Sequence, residues 1–129
     1  MLIKTPTFRF FDVGYIKHNK EEVTLELFSA GNLVEHFTIG SFVCTSKGCI
    51  TKERFNREFL VESYPEELLL NILMAKPIFN KKNIQKTKNG FLQKIETKEY
   101  SIFYRVEKTK LYFKDTRNKI LIKLKDING

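Results

Sequence analysis

SYPEELLLNILMAKPIF, residues 63–79, constrains the fold most, because it is helical in pattern while the chain on both sides is strand-like. Ser63, with Glu66 three residues later, fits a capping box. Pro65 falls in the first turn, where a missing N–H costs nothing, and Glu66 and Glu67 face the positive end of the helix dipole. Leu68, Leu69, Ile72 and Leu73 recur at helical spacing, Leu70 and Met74 widen the stripe, and Lys76-Pro77 supplies a stop. A run this apolar needs a cover. In a chain of mostly β character that cover is a sheet, so the helix is either a plain core helix or one wall of an apolar cavity.

The length of 129 residues suits a single domain, spanning 1–129, that buries roughly two-thirds of its unfolded surface. Twelve Phe and five Tyr favour strands and an apolar interior. No apolar run is long enough to span a membrane as a helix. The opening MLIKTPTFRFF shows neither the apolar run nor the cleavage site of a signal peptide. A cytosolic protein reads this way, and so does a mature exported domain. Charge is uneven: residues 1–79 hold 9 Lys/Arg and 10 Asp/Glu (net −1), residues 80–129 hold 14 and 5 (net +9). Such asymmetry fits an anionic partner, either nucleic acid or a phospholipid surface, or else lysines that only decorate the solvent faces and edges of strands.

Strand patterning runs from residue 7 to 51 and resumes from 83 to 127, with helices expected at about 52–60 and 64–76 between them. Phe8–Lys17 reads as one strand with a bend at Gly14. EVTLELFS and LVEHFTI form a hairpin around Ala30-Gly31-Asn32, with Val23, Leu25 and Leu27 on one face. FVCTSKGCIT reads as a tighter hairpin, and Thr51 caps the short helix KERFNREFL, in which Arg54 and Glu58 can pair. After the main helix, GFLQKIET, EYSIFYRVE, KLYFKD and KILIKLKDI form a meander in which Ile120, Ile122 and Leu124 face inward. The expected fold is α+β: one curved antiparallel β-sheet, a half-open barrel, with two helices packed on or in its concave face.

Chemistry-bearing residues are sparse. Cys44 and Cys49 flank a hairpin tip, which favours a structural disulfide over two buried free thiols and, with it, an oxidising compartment. With His only at 18 and 36, zinc is poorly served and no metal site is expected. Asp12, Asp115 and Asp126 sit apart at strand ends and turns, as capping residues do. The phosphate-cradling Gly loop, the serine elbow and the HExxH pattern are all missing, so neither an enzyme nor a cofactor is expected. Tyr100, Phe103, Tyr104, Tyr112 and Phe113 interleave with Arg105, Lys108, Lys110 and Lys114 as in a base-stacking platform. Tyr100 and Tyr104, however, share the face of Ile102 and Val106, which reads as core, and nucleic acid is the weaker partner.

LELFSAGNLVEHFTI resembles the strand–loop–strand, and SYPEELLLNILMAKPIF the following helix, of the outer-membrane lipoprotein receptor family of LolB and its carrier relative LolA. GFLQKIE, YSIFYRV, KLYFKD and KILIKLKDI match in order the strands that end that fold. The composition, rich in Lys, Asn, Ile and Phe, is similar to small outer-membrane lipoproteins of Campylobacter- and Helicobacter-type bacteria. This resemblance implies a half-open barrel with a helical lid, an acyl-chain cavity and a place at the periplasmic face of the outer membrane. It also implies lipoprotein transport, with lipid acyl chains or lipoproteins as partners, and membrane contact through the loop of Ala30, Gly31 and Leu33. Cys44 and Cys49 are additional to the pattern. Candidate cavity-lining residues are Leu25, Leu27, Phe37, Leu69, Ile72, Leu73, Tyr104 and Phe113, each of which also suits ordinary core. The functional expectation is a non-enzymatic envelope domain that binds acyl chains or lipoproteins; the alternatives are a ligand-free interaction module and a basic nucleic-acid binder.

Overall fold

Alternating strand patterns become β1 (Leu2–Lys4), β2 (Arg9–Phe11), β3 (Gly14–His18), β4 (Val23–Ser29), β5 (Asn32–Ile39), β6 (Phe42–Thr45) and β7 (Gly48–Thr51) in a computed structural model that describes residues 1–125. Two helices follow, α1 (Lys52–Phe59) and α2 (Leu68–Leu73). The chain closes with β8 (Ile84–Thr87), β9 (Gly90–Glu96), β10 (Ser101–Val106), β11 (Lys110–Asp115) and β12 (Ile120–Lys125). Asp126 and Ile127, expected at the end of the last strand, lie outside the described residues.

The fold is α+β and mostly antiparallel, but the strands form two sheets where one curved sheet was expected, and the sheets are not closed into a barrel. One runs β2-β1-β12-β11-β10-β9-β8, the other β3-β4-β5-β6-β7. The division falls inside the segment read as a single strand. Asp12 N–H still donates to Met1 C=O at 3.3 Å, on the β1 side, whereas Val13 C=O accepts from Phe28 N–H at 2.9 Å, on the β4 side. Asp12 Oδ1 takes the Val13 N–H at 2.7 Å, a local bond that competes with the ladder and turns the corner. β1, which sequence reading missed, is too short to show alternation.

Register explains the core. One inward row crosses the larger sheet through Phe10, Ile3, Ile122, Phe113, Tyr104 and Gln93. In the smaller sheet Leu25 pairs with Phe37, and Val23 with Ile39, which pairs in turn with Val43. Residues of both sheets and both helices share one buried cluster, with Phe10, Leu25 and Leu27 forming a smaller one beside it.

α1 forms as expected. Thr51 Oγ1 accepts the Arg54 N–H at 3.1 Å, and Arg54 Nε meets Glu58 Oε1 at 2.8 Å. The second helix is shorter than the expected 64–76. Pro65 disfavours helical backbone at Tyr64, and Leu68 N–H closes a turn on Pro65 C=O at 3.1 Å, so Glu67 becomes the N-cap without a side-chain bond. Six residues are too few to hold a helix by propensity. Burial of Leu68, Ile72 and Leu73 holds it instead, each side chain contributing about 2 kcal/mol. At the far end Lys76 N–H reaches Asn71 C=O at 2.8 Å and Ala75 N–H reaches Ile72 C=O at 3.0 Å, a Schellman motif that puts Ala75 at φ 57°. Ala75→Gly therefore raises the urea midpoint, corresponding to about 1 kcal/mol.

Cys44 and Cys49 are directly opposed in the β6–β7 hairpin and bonded to each other, with Cα atoms 4.0 Å apart. Reduction by dithiothreitol is expected to remove about 2 kcal/mol, since the closed loop is short. Thermal unfolding followed by circular dichroism, with and without reductant, checks it.

Candidate functional site

Where the two sheets and two helices meet, the side chains leave a cavity of about 50 Å³. Ile3 and Ile122 come from the larger sheet, Leu25, Phe37 and Ile39 from the smaller one, Phe55 and Phe59 from α1, and Leu69 and Leu73 from α2. Phe8, Phe59, Leu60 and Leu69 complete the lining and are half-buried, and Thr5 is the one lining residue that carries a side-chain polar atom. The aromatic rings interlock. Phe37 meets Phe8 edge-on at 6.2 Å and Phe55 at 6.0 Å, while Phe55 stacks on Phe59 at 5.0 Å.

Of the eight residues expected to line a cavity, Leu25, Phe37, Leu69 and Leu73 surround this one. Leu27, Ile72, Tyr104 and Phe113 are fully buried in the surrounding core and do not line it. Ile3, Phe8, Phe55 and Ile122 line it without having been singled out. Phe55 and Ile122 had inward spacing as their signal, but nothing in the sequence brings the β1–β2 turn against α1, where Thr7 Oγ1 donates to Glu58 C=O at 3.3 Å.

Polar anchors fix the helical segment and the residues that follow it. Gln93, wholly buried on β9, accepts Ile78 N–H at 2.8 Å and donates to Ile78 C=O at 2.8 Å and Lys82 C=O at 2.7 Å. Tyr104 donates to Lys76 C=O at 2.9 Å, and Asn56 Nδ2 donates to Pro65 C=O at 3.2 Å. Lys52 pairs with Glu67, tying α1 to the start of α2.

Asp115 is wholly buried and gathers five donors. Its Oδ2 accepts Tyr64 Oη–H at 2.5 Å and Asn118 Nδ2–H at 2.8 Å. Its Oδ1 accepts the backbone N–H groups of Ser101, Arg117 and Asn118 at 3.1, 3.1 and 3.2 Å. The expectation of a turn-capping Asp describes half of this; the bond to Tyr64, which fastens the segment before α2 to the larger sheet, was not foreseen. Burial, with the Asp115 carboxylate second, raises the Tyr64 phenol well above its ordinary value, and burial alone raises that of Tyr104. Both stay protonated donors, unsuited to act as bases. Among the described residues no group of three His, Cys, Asp or Glu is placed to hold a metal ion, and no helix is long and apolar enough to cross a membrane.

Ala30 and Gly31 form the two-residue tip of the β4–β5 hairpin with φ of 51° and 83°, the geometry of a type I′ turn. Leu33 is exposed, and so is Val34, the extra residue of a bulge opposite Leu27 and Phe28. Phe11, Val13 and Tyr15 are exposed nearby, and the Tyr15 and Phe28 rings meet at 5.5 Å.

Comparison with protein-family models, with curated proteins and with solved structures finds no match for this chain.

Proposed function

We propose that this is a non-enzymatic domain that binds acyl chains, free or on lipoproteins, in the space between the helices and the sheets. On this reading it works at the periplasmic face of a bacterial outer membrane and takes part in lipoprotein localisation. The observation that carries the reading is a void with almost purely apolar walls, lined by residues of both sheets and both helices.

On the same reading the two sheets are flanks of one half-open barrel with the helices in its concavity. The strand order supports it: only Asp12 and Val13 separate β2, at the edge of one sheet, from β3, at the edge of the other. The helical segment then links the two remaining edges, β7 and β8. A volume of about 50 Å³ is far below the roughly 300–1,000 Å³ of ligand pockets, so an acyl chain enters only if α1 and α2 move outward. Phe59, Leu60 and Leu69, half-buried at the rim, are the side chains such a movement displaces.

The small volume favours a second reading, a ligand-free interaction module with a nearly solid core. Titration with a dansyl-labelled fatty acid separates the two. Acyl binding predicts a saturable rise in dansyl fluorescence that Leu69→Trp, which fills the rim, suppresses at least tenfold without changing the circular dichroism spectrum. A wild-type protein that gives no rise supports the interaction module.

A further inference from the structure

The outward face of the seven-stranded sheet carries two cross-strand rows whose composition follows directly from the register. One runs Phe11, Leu2, Lys123, Tyr112, Arg105, Leu92. The next runs Arg9, Lys4, Leu121, Lys114, Phe103, Lys94. Lys110 and Lys125, paired with each other, lie beyond the first row. Five inter-strand steps make each row about 24 Å wide.

Cations stand directly opposite cations at Arg9–Lys4 and Lys110–Lys125, arrangements that cost stability in a sheet. Carboxylates do little to offset them. Asp115 points into the core, Glu96 accepts from Ser101, and of these cations only Arg105 has a carboxylate partner among the described residues, Glu107 at 3.3 Å. Six of the fourteen Lys/Arg of residues 80–129 lie on this face, joined by Lys4 and Arg9 from the start of the chain. An anionic partner complements such a face.

We propose that this face, with the apolar corner beside it, docks on a bilayer containing anionic phospholipid. Two observations favour a bilayer over a nucleic acid. The rings on the face already have cations over them, Lys94 and Arg105 at 5.9 Å from the Phe103 centroid and Lys123 at 5.5 Å from that of Tyr112, which obstructs base stacking. The row also ends in Phe11, 79% exposed; two residues on, exposed Val13 accepts the Phe28 N–H through its C=O, and Phe28 pairs with exposed Leu33, next to exposed Val34. Protruding aliphatic and Phe side chains next to basic residues match the acyl–headgroup boundary, with the apolar groups inserted and Arg9, Lys4 and Lys123 at headgroup level. The proposal stands apart from the acyl-cavity reading, because it requires no ligand in the interior.

Sedimentation with vesicles tests it, using phosphatidylcholine alone and phosphatidylcholine mixed with phosphatidylglycerol. The expected result is binding to the mixed vesicles only, weakened by salt. Charge reversal by Lys114→Glu with Lys123→Glu, both exposed, is expected to lower partitioning at least about tenfold, and Phe11→Ser about threefold or more. Circular dichroism on the same samples shows that the variants are folded, and the salt dependence of the wild type needs no variant. Equal binding to both vesicle types, or none to either, overturns the proposal. So does salt-sensitive binding of a single-stranded oligonucleotide that Phe11→Ser leaves unchanged while the vesicles fail to bind.

Discussion

Asp115→Ala lowers the unfolding free energy by about 3–4 kcal/mol, the largest loss expected from any single polar side chain here. The reason is accounting of donors rather than of charge. Five N–H and O–H groups converge on one wholly buried carboxylate, and alanine leaves all of them to find water or go without. Tyr64→Phe removes one charge-assisted bond and costs about 1.5–3 kcal/mol. In the Asp115→Ala background the same Tyr64→Phe change costs much less, because its partner is already gone. Urea unfolding followed by far-UV circular dichroism measures all three variants. Equal Tyr64→Phe costs in both backgrounds contradict a direct Tyr64–Asp115 coupling.

Gln93→Leu is the second large effect, at about 3 kcal/mol, since leucine keeps the bulk but strands Ile78 N–H and Lys82 C=O and leaves Ile78 C=O with the Lys81 N–H alone. The loss is also local. Gln93 is the side chain that fixes the 78–82 segment, just after α2, to β9, so its removal releases one end of the helical segment from the larger sheet. Hydrogen exchange is expected to rise at the Ile78 amide well before it rises in β10 and β11. Uniform loss of protection across the larger sheet contradicts that assignment.

Much of this was legible in the sequence because it depends on period-two patterning and local turn chemistry. The β4–β5 hairpin, the inward faces of Leu25, Leu27, Ile120, Ile122 and Leu124, the Thr51 cap and the Cys44–Cys49 bridge all belong to this class. What was not legible depends on tertiary competition. Asp12 diverts a segment that reads as one strand from one sheet to the other with a single side-chain bond to the Val13 N–H. Pro65 looked like an N-terminal helix residue, yet Tyr64 is drawn into the core against Phe113 and Asp115, and the helix starts later. Gln93 was not singled out within GFLQKIET, because nothing local reveals that backbone groups eleven to fifteen residues away need it. Nor does the sequence reveal the spatial reason for Gly90: a Cβ there would lie 1.9 Å from the Val106 carbonyl oxygen. The cavity was half legible, since strand and helix periodicity point side chains inward without saying which of them fail to meet.

Native mass spectrometry of the purified protein, before and after mild organic extraction, tests acyl binding most directly. The account predicts an adduct of fatty-acid or phospholipid mass that extraction removes, on a protein two mass units lighter than its reduced form because Cys44 and Cys49 are bonded. A single unliganded mass that stays unliganded after incubation with fatty acid would contradict acyl binding and leave a core that serves only to hold the fold.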